Sequence, residues 1–229
     1  MKHLVVFSGA GMSAESGLGT FRDNGGLWEQ YKIEEVATPE AWRTNRKMVT
    51  DFYNMRRQQC MESSPNVGHR VLADLESEFK VSIVTQNIDN LHERAGSTNV
   101  LHLHGEIMKV KSSGPNREES IVNWDKAEVN YDDVCEDGYP LRPHVVWFGE
   151  AVPALDKAAE IVSTADIFLV IGSSLQVYPA ANLINYTPLG IQNYLIDPKA
   201  DEFNLSSFRC ISAPVSEGIL TFQKELRIS

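Results

Sequence analysis

The opening of the chain constrains it most: an apolar run, His3-Leu-Val-Val-Phe7, followed by Ser-Gly9-Ala-Gly11-Met-Ser13-Ala-Glu15-Ser-Gly17. Such a run, bounded by small residues, reads as a buried first strand. Gly9 and Gly11 let the backbone turn tightly and come close to something bulky. Ser13 to Gly17 reads as the first turn of a helix, whose free N–H groups and positive dipole end suit a phosphate. Strand, glycine turn and helix N-terminus predict a site for a dinucleotide pyrophosphate. The spacing is not the dehydrogenase fingerprint. The next glycine is Gly17, and the place for a strand-end acid about twenty residues on falls in Trp28-Glu-Gln-Tyr31-Lys-Ile, which does not read as a strand. Taken alone, the glycines fit a nucleotide site or an ordinary tight turn.

Bulk properties narrow the class. At 229 residues the chain can bury a good core as one domain, or one domain with a small appendage. It contains no run of about eighteen apolar residues, so no membrane span is expected. The first strand begins at once, which leaves no room for a leader and predicts a cytoplasmic address. A net charge of −10 argues against nucleic acid and leaves room for a cationic, lysine-bearing partner. Cys60, Cys135 and Cys210 lie far apart, as reduced thiols do.

Further along, Thr20-Phe21-Arg22-Asp23-Asn24-Gly25-Gly26-Leu27-Trp28 is a loop. Phe21 in it could shield a reactive carbon and Arg22 could meet phosphate oxygens; folding back onto the core is the alternative. Glu34 to Ser77 reads as helical, broken at Thr38-Pro39 and Ser63-Ser64-Pro65-Asn66, with Thr38 as an N-cap and Pro39 at the first helical position. Tyr53 and Arg56, at i and i+3, share a helix face and would suit a carboxylate; a solvated Arg packed beside Tyr is the commoner arrangement. Val81 to Thr85 is a second strand, ending in Gln86-Asn87-Ile88-Asp89-Asn90, polar residues where α/β sheets bind ligands. In the strand Val100 to His104, alternation puts His102 and His104 on one face. No further ligands nearby complete a zinc site, so one of the two is better read as a general base, and periodicity does not say which.

Residues 107–143 are polar and turn-rich, including Lys109-Val-Lys-Ser-Ser113, and predict an inserted lobe or long excursion. Strand character returns over Leu141 to Glu150. Ala154 to Ser163 reads as a helix and Ala165 to Ile171 as the most apolar strand, ending in a second small-residue turn, Gly172-Ser173-Ser174. Tyr178-Pro179-Ala-Ala-Asn182 opens another helix, Ile191 to Asp197 is a further strand, and Ile219 to Leu226 is a terminal helix. Strands alternating with helices predict an α/β fold: a Rossmann-like parallel sheet covered by helices on both faces.

The motif order resembles one family, the sirtuins, which are NAD-dependent protein lysine deacylases. The residues that carry the resemblance are Gly9 to Gly17, Thr20-Phe21-Arg22, Gly26-Leu27-Trp28, Thr85 to Asp89, Leu103-His104-Gly105, Pro143 to Glu150 and Gly172-Ser173-Ser174-Leu175. The resemblance implies an NAD-binding domain over 1–32, 68–106 and 144–229. It also implies a smaller lobe over 33–67 and 107–143, a helical module plus a degenerate zinc-ribbon-like insertion. NAD is the implied cofactor, held by Gly9, Ala10, Gly11, Ser13, Glu15, Thr20, Phe21, Arg22, Gln86, Asn87, Asp89, His104, Gly172, Ser173 and Ser174. Asp89 would reach the carboxamide and Asn87 the ribose and its water. Leu195 stands where the family often has Asn, which leaves only a backbone contact to the adenine ribose there.

By the same resemblance His104, directly before glycine, is the general base and acts with Asn87, while His102 is structural. The acyl oxygen of a modified lysine attacks the ribose carbon as nicotinamide leaves, and His104 takes a ribose hydroxyl proton. The products are free lysine, nicotinamide and 2′-O-acyl-ADP-ribose, and activity should fall as pH drops through the His104 pKa. Val146, Trp147, Phe148 and Gly149 on one side and Gln176, Val177 and Tyr178 on the other would clamp an acylated-lysine peptide as an added strand. Members that remove succinyl and malonyl groups resemble this chain in Ala37, Tyr53 and Arg56, which implies deacetylase, desuccinylase and demalonylase activity. The family's paired zinc cysteines are reduced here to Cys135, so zinc is not expected. A cytoplasmic monomer without nucleic-acid or membrane partners is expected. Mono-ADP-ribosyl transfer, NAD hydrolysis and a non-catalytic NAD-binding module are the alternatives.

Overall fold

A computed structural model describes residues 1–20, 30–115 and 117–228. The strands are β1 (His3–Ser8), β2 (Lys80–Thr85), β3 (Val100–His102), β4 (Gly105–Ser112), β5 (Val122–Asn123), β6 (Leu141–Val145), β7 (Ile167–Ile171), β8 (Gln192–Ile196) and β9 (Phe208–Ile211). The described helices are α1 (Gly11–Ala14), α2 (Ile33–Val36), α3 (Pro39–Thr44), α4 (Arg46–Glu62), α5 (Val67–Asp74), α6 (Leu91–Ala95), α7 (Leu155–Ser163) and α8 (Val215–Ile228). Six strands form one parallel sheet in the order β3-β2-β1-β7-β8-β9. A second sheet, β5-β4-β6, is antiparallel.

The apolar run of β1 is buried on both faces because the sheet has two cores. Leu4 and Val6 pack with Leu72 of α5 and Phe222 of α8; Val5 and Phe7 pack with Ala158 and Val162 of α7. That is the expected Rossmann-like parallel sheet with helices on both faces. Strand order reverses on either side of β1, with β2 and β3 to one side and β7 to β9 to the other. The crevice for a ligand therefore opens at the carboxyl ends of β1 and β7. Register levels those ends: Ser8 pairs with both Thr85 and Ile171, and Thr85 pairs with His102. The loops leaving β1, β2, β3 and β7 consequently start side by side.

Several boundaries differ from the sequence reading. The glycine helix spans Gly11–Ala14, not Ser13 to Gly17, and the chain turns at Gly17 with φ +87°. Lys109 to Ser112, expected in a turn-rich excursion, belongs to β4. Its buried polar groups are paired, Lys111 with Glu118 at 2.8 Å and Ser112 Oγ with Asp137 at 2.6 Å, so the strand can carry them inward. The segment opened by Tyr178-Pro179 is a 3₁₀ helix, Ala180–Tyr186. β3 stops at His102, and β9 was not anticipated because Phe208-Arg-Cys-Ile211 is too short and mixed to signal a strand. Thr38 does cap α3, accepting from Ala41 N at 3.0 Å, and Pro39 opens it.

The two small-residue turns interlock. Gly9 N donates to Ile171 O at 3.1 Å and Gly11 N to Gly172 O at 2.9 Å. A Cβ on Gly9 would sit 2.7 Å from Gly172 O, and one on Gly11 would sit 2.9 Å from Gly172 Cα. Gly172 holds φ +60°, and a Cβ there would overlap Met12 N. The bulky neighbour that the glycines admit is the other turn. Gly190 is also left-handed, φ +79°, but has open space around it. Gly172→Ala should therefore cost about 3 kcal/mol or more, strain plus overlap, against about 1 kcal/mol for Gly190→Ala. Urea denaturation of both variants checks this, and equal losses would remove the interlock from the account.

Beneath these turns lie two buried imidazoles, His69 and His92, with ring centroids 4.8 Å apart. Asn66 N donates to His69 Nδ1 in a capping box, and His92 Nε2 lies 3.0 Å from Ser8 Oγ. Burial pushes His69 down to about 4 and His92 well below its ordinary range. Both are neutral in the folded chain, whereas the unfolded chain takes up their protons near pH 6.5. Stability is thus full above about pH 6.5 and falls towards about pH 4, by about 1.4 kcal/mol per pH unit for each site. His69→Gln keeps a capping-box acceptor but no proton site. Its urea midpoint should fall less steeply between pH 6.5 and 4 than that of the parent, and an unchanged slope would contradict the assignment.

Candidate active site

At the carboxyl edge of the sheet, the loop after β2 is held at nearly every polar atom. Gln86 N donates to Ser8 O at 2.9 Å and Asn87 N to Thr85 Oγ1 at 3.0 Å. Asn87 Nδ2 donates to Gly9 O at 3.0 Å and to Ser13 Oγ at 3.1 Å. Ser13 Oγ in turn donates to Asp89 Oδ2 at 3.0 Å, and Leu91 N donates to Asp89 Oδ1 at 3.1 Å. Ser173 Oγ donates to Gln86 Oε1 at 3.0 Å. The loops of β1, β2 and β7 therefore form one hydrogen-bonded unit containing Gly9, Gly11, Ser13, Gln86, Asn87, Asp89, Gly172 and Ser173. Met12 N and Ser13 N are taken by the carbonyls of Gly9 and Ala10, so the N–H groups expected to be free for phosphate are largely spent within the turn.

Three carbonyls of this loop are gripped in succession. Gln86 O lies 3.0 Å from His104 Nδ1, Asn87 O lies 2.8 Å from His102 Nδ1, and Ile88 O accepts from Ile107 N at 2.7 Å. A carbonyl only accepts, so each Nδ1 carries the hydrogen. In His104 this leaves Nε2 with its lone pair, the form a general base requires. Burial lowers the His104 pKa, so the neutral imidazole persists below its ordinary range. His102 differs, because its Nε2 lies 2.8 Å from Glu93 Oε1. Among the described residues the two rings thus differ at Nε2, a difference that alternation does not reveal.

Two groups here retain bonding capacity. Gln86 Nε2 is buried without a partner among the described residues. Asp89 is buried, which raises its pKa, and its oxygens have lone pairs beyond the two bonds they accept. A buried amide donor and a buried carboxyl beside a glycine cradle suit a polar, planar amide and a ribose, so the residues fit a nicotinamide dinucleotide.

Not every expected residue converges. Leu195 is fully buried as the penultimate residue of β8, with β7 and β9 on either side, and its side chain packs in the core. Glu15 faces away, accepting from Ser216 N at 3.1 Å near the start of α8. Ala10 and Thr20 are half-buried and Ser174 is exposed. Phe21 and Arg22 lie outside the described residues.

The second cluster lies on α4. Its buried stripe, Val49, Phe52, Tyr53, Arg56, Arg57 and Cys60, has helical spacing but includes two guanidiniums. Arg57, unremarked in the sequence, donates to Ile107 O at 2.9 Å and Ala127 O at 3.2 Å, tying α4 to β4. Arg56 donates to Gln59 at 3.1 Å, and burial lowers its pKa, with Asp89 and Tyr53 nearby opposing that shift. Trp147 Nε1 donates to Tyr53 Oη at 3.1 Å, and Phe148 N donates to Ala37 O at 3.0 Å. Trp147 is itself sandwiched: Arg142 lies 3.4 Å over its ring and pairs with Glu150 at 2.9 and 3.0 Å, while Glu150 accepts from Trp147 N. The segment Val146 to Gly149 is thus built against Tyr53 and Ala37. Phe148, Gly149, Gln176 and Tyr178 are exposed, and Val146 and Val177 half-buried.

Comparison with known proteins agrees with this arrangement. The Sir2 family matches over residues 9–179, which takes in both small-residue turns, the 86–89 loop and His104. The chain belongs to the Sir2 family. The NAD-dependent protein deacylase of Bacteroides thetaiotaomicron is 52% identical over 223 residues, covering 96% of this chain and 95% of that protein. The NAD-dependent protein deacylase of Helicobacter pylori is 50% identical over 214 residues, covering 93% and 92%. Among solved structures, a Sir2 homologue–NAD complex superposes with a TM-score of 0.89 at 35% identity, covering 99% of this chain and 90% of that one. A Sir2 protein with a deacetylated p53 peptide and 3′-O-acetyl ADP ribose gives 0.81 at 28% identity, covering 97% and 92%. Among the described residues no cluster of three or more His, Cys, Asp or Glu is placed to hold a metal, and no helix is long and apolar enough to cross a membrane.

Proposed function

We propose that this chain is an NAD-dependent protein lysine deacylase that transfers the acyl group to ADP-ribose. The observation that carries the reading is the His104 imidazole, whose Nδ1 is fixed by the Gln86 carbonyl so that Nε2 stays basic. It stands just past β3, bonded to the loop that presents Asn87 and Asp89. Bound NAD supplies an electrophilic ribose carbon and nicotinamide as the leaving group. The chain's residues supply the rest. Gly9, Ala10, Gly11 and Ser13 with Gly172, Ser173 and Ser174 border the dinucleotide. Gln86 Nε2 and Asp89 hold the nicotinamide-ribose end, Asn87 orders the ribose, and His104 Nε2 accepts a ribose hydroxyl proton.

The same reading gives the acylated-lysine segment a groove between Val146 to Gly149 and Gln176 to Tyr178, where its backbone would pair as an added strand. It treats 1–32, 68–106 and 144–229 as the NAD-binding domain and 33–67 and 107–143 as the small lobe; two apolar clusters lie wholly in the first and one in the 107–143 stretch, while a fourth joins Val49 and Tyr53 to Val145 and Trp147 across the boundary. Succinyl and malonyl groups are within its range. Tyr53 Oη already accepts from Trp147, so its own proton is left to donate, and the Arg56 guanidinium lies beside it. A net charge of −10 and three free thiols support a lysine-bearing protein partner and a reducing, cytoplasmic setting for a monomer.

Mass spectrometry after incubation with NAD and acylated peptides tests the reaction. Free lysine peptide with acyl-ADP-ribose is expected; ADP-ribosylated protein, or ADP-ribose alone, would overturn the assignment. His104→Ala should lower turnover by about 100-fold or more, and an undiminished rate would remove the base. Arg56→Met should lower kcat/KM for succinyl-lysine by about 30-fold while sparing acetyl-lysine, since a guanidinium–carboxylate pair is lost only with the former. Equal losses on both substrates would reject the carboxylate pocket.

A further inference from the structure

The histidine that the base assignment leaves over, His102, is tied at both ring nitrogens. Nδ1 lies 2.8 Å from Asn87 O and Nε2 lies 2.8 Å from Glu93 Oε1. Its side chain is 6% exposed, while that of Glu93 on α6 is 38% exposed and reaches solvent. A carbonyl and a carboxylate both only accept, so satisfying the two bonds together takes both ring hydrogens, an imidazolium. We propose that Glu93 and His102 are positioning residues for the reaction, a charged clamp that fixes the Asn87 carbonyl and with it the loop carrying Asn87 and Asp89. The inference rests on the deacylase reading of that loop.

The consequence is a proton requirement opposite to that of the base. His104 must be neutral to act, and no carboxylate among the described residues pairs with its Nε2. His102 must be protonated to keep both bonds. Loss of its proton leaves a lone pair facing either the carboxylate or the carbonyl, and one bond fails. The groups facing His102 favour the charged form on balance. Glu93 comes from α6, Glu106 from β4 and Asp89 from the loop, while His92 from α6, held neutral by burial, puts no charge against it. Lys109 acts on Glu93 from β4. Burial, the largest effect, would depress His102, but the bond and charge of Glu93, the Asn87 carbonyl and the Glu106 charge together more than offset it and hold the ring above its ordinary range. Burial would raise Glu93, but His102 holds it below the usual carboxylate range, in agreement from the partner's side. Activity should therefore be bell-shaped in pH, with the acid limb set by His104 and the alkaline limb by His102.

The test is the pH profile of kcat/KM for an acetyl-lysine peptide. Glu93→Gln removes the charge but keeps an amide that can bond the ring. The alkaline limb should move down by about one pH unit or more, the usual effect of losing a paired charge, while the acid limb stays in place. In His102→Asn the side-chain amide replaces Nδ1–H as donor to the Asn87 carbonyl without titrating, so that alkaline limb should vanish. A Glu93→Gln profile that superposes on the parent, or one lowered equally at every pH as a merely structural role would give, overturns the proposal. Should either variant fold poorly, NMR titration of the parent's histidines decides. The His102 ring, identified in the parent by its connection to its assigned backbone, should lose its proton at higher pH than His104, and the reverse order overturns the clamp. Failure of the deacylase reading would show separately, as the absence of acyl-ADP-ribose from the parent protein.

Discussion

Two glycine turns from distant parts of the chain fill the space that side chains would otherwise occupy. Gly9 and Gly11 lie against Gly172 and Ser173, joined by the bonds from Gly9 N and Gly11 N. That contact is possible because β1 and β7 are neighbours in a parallel sheet and end at the same level, Ser8 opposite Ile171. It sets the floor of the crevice at the point where strand order reverses. Everything polar in the site, from Ser13 to Asn87 to Ser173, takes its position from this floor. The glycines are thus needed first for packing one turn onto another, and the access they give a ligand follows from that.

Above the floor, the site shows how hydrogen-bond accounting chooses chemical roles. His102 and His104 differ little in sequence surroundings, and both give Nδ1–H to a loop carbonyl. The difference is at Nε2. That of His102 meets the Glu93 carboxylate, while that of His104 meets none among the described residues. The buried groups left with spare capacity, Gln86 Nε2 and the Asp89 carboxyl, are those that a ligand's amide and hydroxyls would complete. Buried polar groups without partners are costly, by about 1–3 kcal/mol each. Leaving one in the crevice is a stability cost consistent with a binding role.

The smaller lobe solves a different problem, how to bury cations. Arg57 is 1% exposed yet meets the Ile107 and Ala127 carbonyls, joining α4 to the antiparallel sheet. Arg142 is spread over the Trp147 ring and doubly paired with Glu150. Lys111 meets Glu118, and Ser112 meets Asp137. These contacts let a polar stretch serve as strand and hold Trp147 where its indole N–H reaches Tyr53. The substrate-facing segment and the α4 pocket are in this way parts of one assembly.

Much of this was legible in the sequence. The apolar runs of β1, β2, β7 and β8 and the cap at Thr38 carry local signals that tertiary context reinforces, and the motif order was enough to point to the family. Local signals also misplaced things. The glycine helix lies earlier than its polar residues suggest, Lys109 to Ser112 form a strand because their partners arrive from residues far along the chain, and Leu195 and Glu15 turn away from the crevice into core and helix contacts. The roles of His102 and His104 could not be separated by periodicity, because the alternation of a strand places both rings on one face. By itself the sequence determined which segments must be buried and which residue types gather at strand ends, since burial follows from side-chain chemistry. Only the tertiary structure decided which nitrogen meets which carbonyl or carboxylate, because those partners are brought together by strand register and not by nearness along the chain.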